Sequence, residues 1–494
     1  MMALRIVSFL LCLGTLPLSA SEKILRWGGD VGGSVPYLML DANDPHKIRG
    51  FEYEVAEALA KKMGMKAEFV QHQWDNLIPG LTRGSFDIVL NAIEITEERK
   101  LEVNFSIPYF LTFEQLTVRA DNNDIHGWKD LSGKKVGTNK ESYAERLLQQ
   151  RKDIIVASYE DQTPIYDDLV FGRLDAVLYD QPVALYYGSL DKRIKNLDTN
   201  FGNVAYGICV RKGEDALLKQ INTALEALIQ SGELRHIYER WGIWNEEMAK
   251  TFKDKSPLHE EPIELIAYKK FFEERESSSH RWEQIKSSLP LLLDAALVTL
   301  KLSCLAMICA VLLGLLIALC RLYGGRVISF IALSFVEIIR GTPLLIQLFL
   351  IYYGLPNIGI KLDPFSAAII GLALNYSAYE SEIYRTGILA IPHAQMETAI
   401  ALGMNRWQAL RHIILPQALR TVLPPMTNDF IALLKDSSLV SVISLVELTR
   451  VYGQLAAANY NYLSLGLITA LIYFLMGLPF VRLSRKIENK LRSR

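Results

Sequence analysis

Hydrophobic positions along this chain follow two different patterns, and the change between them divides it. From Glu22 to about Trp244, short apolar runs of strand length alternate with amphipathic stretches of helical period. ILRWG, AEFVQH, FDIVLNA, KKVGT, IIVAS, DAVLYD and AYGICVR read as strands, and FEYEVAEALAKKMG, ESYAERLLQQ and EDALLKQINTALEALIQSGELRHIYERW read as helices. That alternation predicts an α/β fold with mostly parallel strands, and its length suits two small lobes. From about Leu289 onward, long apolar runs dominate. They predict an all-α membrane domain of about five transmembrane helices, near 291–320, 327–353, 365–384, 423–448 and 463–481. Asp429, Lys435 and Asp436 interrupt the fourth.

Residues 246–288 belong to neither pattern. KDKSPLHEEPIE is charged and carries two prolines, while ELIAYKKFFEERESSSHRWEQIK suits a helix or two but is too polar to span. This is a tether, and a wholly flexible one of roughly forty residues would reach about 35 Å root-mean-square. The expected domains are therefore a leader at 1–20, a soluble domain at 22–245, the tether at 246–288 and a membrane domain at 289–494.

Charge supplies the orientation. Arg5, the apolar run Ile6–Leu18 and the small pair Ser19-Ala20 have the order of a secretory signal peptide; the alternative is an uncleaved anchor helix. Arg321 and Arg326 follow the first apolar run, Arg406, Arg411 and Arg420 the third, and Arg482, Arg485, Lys486, Lys490, Arg492 and Arg494 the fifth. With five spans all of these lie on one side, and the basic side is cytoplasmic. The soluble half then lies outside, as a signal peptide requires. The net charge of -1 and the lack of a basic, aromatic-interleaved patch give no sign of nucleic acid. Of five cysteines only Cys209 lies in the exported part, where it reads as a buried strand residue. No Cys/His cluster has zinc spacing.

Two stretches carry family resemblances. Glu22 to Trp244 resembles the polar-amino-acid, family 3 periplasmic solute-binding proteins. The likeness rests on Gly50-Phe51-Glu52-Tyr53-Glu54, on Trp74-Asp75-Asn76-Leu77-Ile78-Pro79-Gly80-Leu81, on Ile95-Thr96-Glu97-Glu98-Arg99 and on Gly172-Arg173-Leu174-Asp175-Ala176-Val177-Leu178-Tyr179-Asp180. The resemblance implies a type II periplasmic-binding-protein fold whose two lobes close on a small ligand, lobe one at about 22–118 and 207–245, lobe two at about 119–206. A zwitterionic amino acid needs a guanidinium fork for its carboxylate and a carboxylate for its ammonium. Arg99 and Asp180 stand where the family has these groups, and Trp74 stands at a pocket wall. The plainer alternatives are a surface helix charge for Arg99, a turn residue for Asp180 and core filling for Trp74.

Three departures bear on the ligand. Glu94 replaces a hydroxyl residue that helps hold the ligand carboxylate. Ser142 alone keeps a hydroxyl in the second-lobe element Glu141-Ser142-Tyr143. Gly32-Gly33-Ser34 replaces an aromatic expected soon after Asp30. Asp30, Glu94 and Asp180 around one arginine imply an acidic pocket with a bias toward a cationic amino acid or related amine.

The second resemblance covers 289–494. ETAIALGMNRWQALRHIILP at 397–416 resembles the "EAA" loop of ABC-importer permeases of the histidine/glutamine type, with Glu397, Ala399, Gly403, Ile413, Leu415 and Pro416 in register and Thr398 for the first alanine. Physically, 397–402 predicts a short helix, Gly403 a left-handed turn, and 406–415 a second helix stopped at Pro416. The resemblance implies that this hairpin seats in a separate ATPase subunit; the alternative is a mere interfacial helix. No G-x-x-x-x-G-K-[ST] occurs, so this chain does not cradle nucleotide phosphates, and ATP-Mg belongs to the partner. One permease unit per chain implies a homodimer in the bacterial inner membrane, with each binding domain in the periplasm. The expected whole is the fused capture and permease subunit of an amino acid importer: a transport subunit, not an enzyme, with no cofactor of its own. The competing reading is a ligand-gated ion channel of the glutamate-receptor type.

Overall fold

The computed structural model describes residues 23–32, 35–41, 44–159, 162–254, 260–274 and 278–492. The expected leader lies outside them, as do Gly33 and Ser34.

The N-terminal half is α/β, built on one eight-stranded mixed sheet with the order β4-β1-β5-β10-β6-β9-β7-β8. β1 (Ile24–Gly29) pairs in parallel with β4 (Lys66–Gln71) and β5 (Ile88–Val89). β7 (Lys135–Asn139) likewise lies parallel to β8 (Ile155–Tyr159) and β9 (Ala176–Asp180). Between the two groups run β6 (Val103–Arg119) and β10 (Ile194–Arg211), long, antiparallel and broken by several register shifts. Each is long enough to serve both lobes, and the shifts bend the pair where one lobe gives way to the other. A short antiparallel pair, β2 (Met39–Leu40) and β3 (Ile48–Arg49), lies apart.

The prediction of mostly parallel strands thus holds within each lobe and fails at the two long strands. A chain that crosses between lobes and comes back must run antiparallel to itself. The alternation of strands and helices is local, whereas this return path is not, so the pattern could not register it.

The connecting segment is helical, at Glu246–Thr251 and Ile263–Glu274. Tyr268 and Phe272 from its second helix join the binding domain's apolar core, so the reach of a free chain does not describe it.

The C-terminal half is helical. Among the described residues, Arg281–Tyr323 and Tyr462–Lys486 are long and apolar enough to cross a membrane. A third span results if Arg326–Gly341 and Leu344–Ile358, which meet at 106°, are counted together. Their corner falls at Thr342-Pro343. Pro343 has no N–H to continue the ladder, and Gln347 Nε2 takes over the released Ile339 carbonyl at 2.8 Å. Helices Pro364–Leu389 and Leu415–Asp436 complete the bundle and carry Glu380, Glu382, Asp429 and Lys435.

Intramembrane charges need partners. Glu382 is paired with Arg321 and with Arg385. Asp436 accepts the Tyr376 hydroxyl at 2.7 Å, a bond across helices.

Candidate functional site

The cleft between the lobes is lined by residues from both. β1 ends at Gly29 and delivers Asp30 to its floor. The Asp30 carboxylate accepts N–H groups from Gly32 (3.0 Å), Gln71 Nε2 (2.8 Å) and the Trp74 backbone (3.0 Å). Trp74 is held in turn through its indole N–H to the Asn91 carbonyl, at 3.0 Å. Beneath them Glu52, fully buried, accepts from Asn91 Nδ2 at 3.1 Å and Ala92 N–H at 2.7 Å. Gly50 makes this arrangement possible. Its φ is +138°, and a Cβ there would lie 1.9 Å from the Tyr37 carbonyl.

Asp180 closes the opposite wall at the end of β9. Tyr37 of lobe one donates its hydroxyl to Asp180 Oδ2, and Tyr206 donates to the same oxygen at 3.0 Å. Among the described residues, none donates a hydrogen bond to Oδ1. Burial lifts this carboxyl to about 6, against the lowering effect of the two hydroxyls. Glu114 lies opposite Asp180 in the β6–β9 register and is also buried, and no described residue donates to its Oε2. Burial, reinforced by the Asp180 charge, raises its pKa well above the ordinary range.

Glu94 makes a second bridge between the lobes. Its carboxylate binds Arg99 Nη1 and accepts the backbone N–H of Tyr143 at 2.9 Å. That N–H opens the lobe-two helix Tyr143–Gln149. A guanidinium beside a helix N-terminus is a carboxylate receptor, and here a side chain of the protein occupies it. Arg99 also reaches the Glu141 carbonyl at 3.3 Å and lies 5.4 Å over the Trp74 ring. Burial, with Arg146 nearby, lowers its pKa to about 10.

Asp30, Trp74, Glu94, Ser142 and Asp180 therefore converge on one cleft. Arg99 stands behind Glu94. The Ser142 hydroxyl caps its helix, accepting from Glu145 N–H at 3.2 Å, and donates to the Asn139 carbonyl at 2.7 Å. It is thus engaged by the protein itself.

Tyr37 and Glu114 escaped the sequence reading. Tyr37 lines the cleft and donates its hydroxyl to Asp180. Glu114 sits in an alternating strand whose facing residue is set by register alone.

The 397–416 motif folds as a hairpin. Glu397 and Ala399 lie in helix His393–Ala401, and Gly403 adopts φ +89° with no atom near a would-be Cβ. Glycine is required there by the backbone, not by space. Ala399 is buried, while Leu402 is 77% and Trp407 62% exposed. Asn405 caps Arg406–Ala409 by accepting Gln408 N–H at 2.9 Å.

The expected stop at Pro416 does not occur. A π turn at Leu410–Ile414, which includes Ile413, leads directly into helix Leu415–Asp436, with Pro416 in its first turn. A widened turn shifts the bonding pattern so that the missing N–H and the ring are tolerated.

A two-lobed domain closing on a polar cleft, joined to apolar helices with an exposed knob, defines a class: a solute-capturing domain fused to a membrane transport domain. Residues 26–243 match the bacterial extracellular solute-binding proteins, family 3. Residues 310–493 match the binding-protein-dependent transport system inner membrane components. The glutamine transport system permease protein GlnP of Escherichia coli is 37% identical over 213 residues, 43% of this chain and 97% of that protein. The arginine transport system permease protein ArtQ of Bacillus subtilis is 38% identical over 206 residues, 42% of this chain and 94% of that protein. An ancestral arginine-binding protein bound to arginine is 37% identical, with a TM-score of 0.42, and covers 44% of this chain and 98% of that one. The chain belongs to the binding-protein-dependent transport system inner membrane component family and carries a family 3 solute-binding domain on the same polypeptide.

Proposed function

We propose that this protein is the combined capture and permease subunit of an ABC importer for amino acids, with a preference for cationic ones. The observation that carries the preference is the pair Asp180 and Glu114. Two buried carboxylates face one cleft, each with an oxygen that accepts no hydrogen bond from the described residues. Buried carboxylates without donors are costly unless a cation meets them. The relatives named for glutamine and arginine transport support the amino acid class.

An incoming α-carboxylate takes the receptor formed by Arg99 and the Tyr143 N–H. Glu94 then turns toward Arg146, 3.9 Å away, whose Nη2 has no hydrogen bond. The ligand's ammonium and side-chain cation are left to Asp180, Glu114 and Asp30. Asp180 and Arg99 come from different lobes, so a ligand that needs both favours closure.

The exposed knob at 397–416 docks to a separate ATPase subunit, which supplies the energy. Two copies of the chain form the permease, and the binding domains stand outside the inner membrane. The test is co-reconstitution of the full chain with its ATPase in proteoliposomes. Stimulation of ATP hydrolysis and uptake by L-arginine or L-lysine is expected. A ligand-gated current without ATP refutes the importer. Tight binding of glutamate or aspartate, with none of arginine or lysine, refutes the cationic preference.

A further inference from the structure

A cation from the membrane domain reaches an acidic residue that lines the capture cleft. Arg450 Nη2 donates to Asp30 Oδ1 at 2.5 Å, between residues 420 positions apart. Both side chains are largely buried, at 15% and 12% exposed. Arg450 lies in the first turn of helix Leu448–Asn459, and that turn is tightly held. The Glu447 carboxylate accepts the N–H groups of Thr449 (2.9 Å) and Arg450 (2.8 Å) and the Tyr473 hydroxyl (3.1 Å). Leu448 N–H donates to Thr299 Oγ1 at 3.1 Å. The guanidinium is therefore presented from a fixed base.

The domains also meet on either side of this contact. Arg83 of lobe one donates to the Tyr352 carbonyl at 2.7 Å and lies 3.5 Å over that ring. Tyr187 of lobe two packs against Tyr460, at the end of the Arg450 helix, with ring centroids 5.5 Å apart. Arg450 thus reaches the cleft between two anchored lobes. Asp30, meanwhile, is already oriented by three N–H donors of its own lobe. It keeps its place whichever cation it meets.

We infer that Arg450 is a displacing cation: on docking, its guanidinium takes Asp30 from the positively charged side chain of the bound ligand and lowers affinity where the solute passes to the permease. This rests on the cationic reading of the cleft. Two cations that share one carboxylate each bind it less tightly, since like charges at such range oppose each other. Losing a hydrogen bond to a charged group weakens binding by about ten- to a hundredfold. Linkage makes the effect reciprocal, so a cationic ligand loosens docking by the same factor.

The test is equilibrium binding of L-arginine, L-lysine and L-glutamine to the full chain in nanodiscs, for the parent, Arg450→Gln, Arg450→Lys, Asp30→Asn and the Asp30→Asn/Arg450→Gln pair. Arg450→Gln is expected to tighten arginine and lysine binding by about ten- to a hundredfold and to change glutamine by less than about threefold. Arg450→Lys stays near the parent, and the gain vanishes in the Asp30→Asn background. Monodisperse elution checks folding of each variant. Unchanged or weaker arginine binding by Arg450→Gln overturns the displacement, as does an equal gain in the Asp30→Asn background. If parent and variant both bind glutamine and neither binds arginine or lysine, the cationic reading falls and takes the displacement with it.

Discussion

Glu94 occupies the position a ligand carboxylate needs, and replacing it by serine tests what that occupation costs. In the structure its carboxylate joins Arg99 to the helix N-terminus at Tyr143. An amino acid must break both contacts before its own carboxylate makes them. Agmatine, which is arginine without the carboxylate, makes no such demand. Glu94→Ser removes the competitor and leaves a short hydroxyl that can itself donate to a carboxylate. Hydrogen bonds to charged groups contribute about 1.5–3 kcal/mol, and about 1.4 kcal/mol is a factor of ten. The affinity ratio of L-arginine to agmatine is therefore expected to rise by about ten- to a hundredfold in Glu94→Ser. Calorimetry on the detergent-solubilised full chain, with each ligand on parent and variant, gives the ratio directly. Because the ratio compares two cations of the same length, a general loosening of the cleft cancels. An unchanged ratio, or a fall, refutes the reading of Glu94 as a carboxylate surrogate.

Other outcomes follow from the same geometry. Ligand binding through Asp180 requires its ionised form, so arginine affinity is expected to fall by up to about tenfold per unit below pH 6, measured by radioligand binding. Stability without ligand runs the other way. The folded pKa of about 6 exceeds the ordinary 3.8, so this group's contribution is full below the lower value and lost as pH rises through the upper one; the loss is about 3 kcal/mol, and Asp180→Asn should flatten that dependence in a thermal melt. Gly403→Val forces a branched side chain into φ +89° at a cost of about 1–2 kcal/mol in the loop, and is expected to abolish ATP-coupled uptake while arginine binding stays within about twofold; normal uptake counts against the coupling role. Arg83→Ala removes two carbonyl contacts and a cation–π contact between lobe one and the membrane domain. It should slow uptake without weakening binding, and unaltered transport rates exclude docking through this residue.

Much of this protein was readable before any coordinates. Strand and helix alternation, long apolar runs and flanking arginines are local patterns, and local patterns dictate which segments form which elements. The convergence of Asp30, Trp74, Glu94 and Asp180 was expected from the resemblance to the family 3 binding proteins, whose motifs are contiguous in the chain. Gly403 announced its left-handed turn for the same reason. What the sequence could not convey depends on register and on docking. Glu114 meets the cleft because one strand pairs with another in a particular register. Tyr37 reaches Asp180 because Gly50 lets two backbones approach. Pro416 continues a helix because the preceding turn widens. Arg450 meets Asp30 only because a membrane-domain helix, capped by Glu447, is packed against a domain encoded hundreds of residues earlier. Short-range sequence chose the elements, since backbone bonding and amphipathicity act over a few residues. Long-range packing chose which charges face each other, since electrostatic partners are set by distance in space and not along the chain.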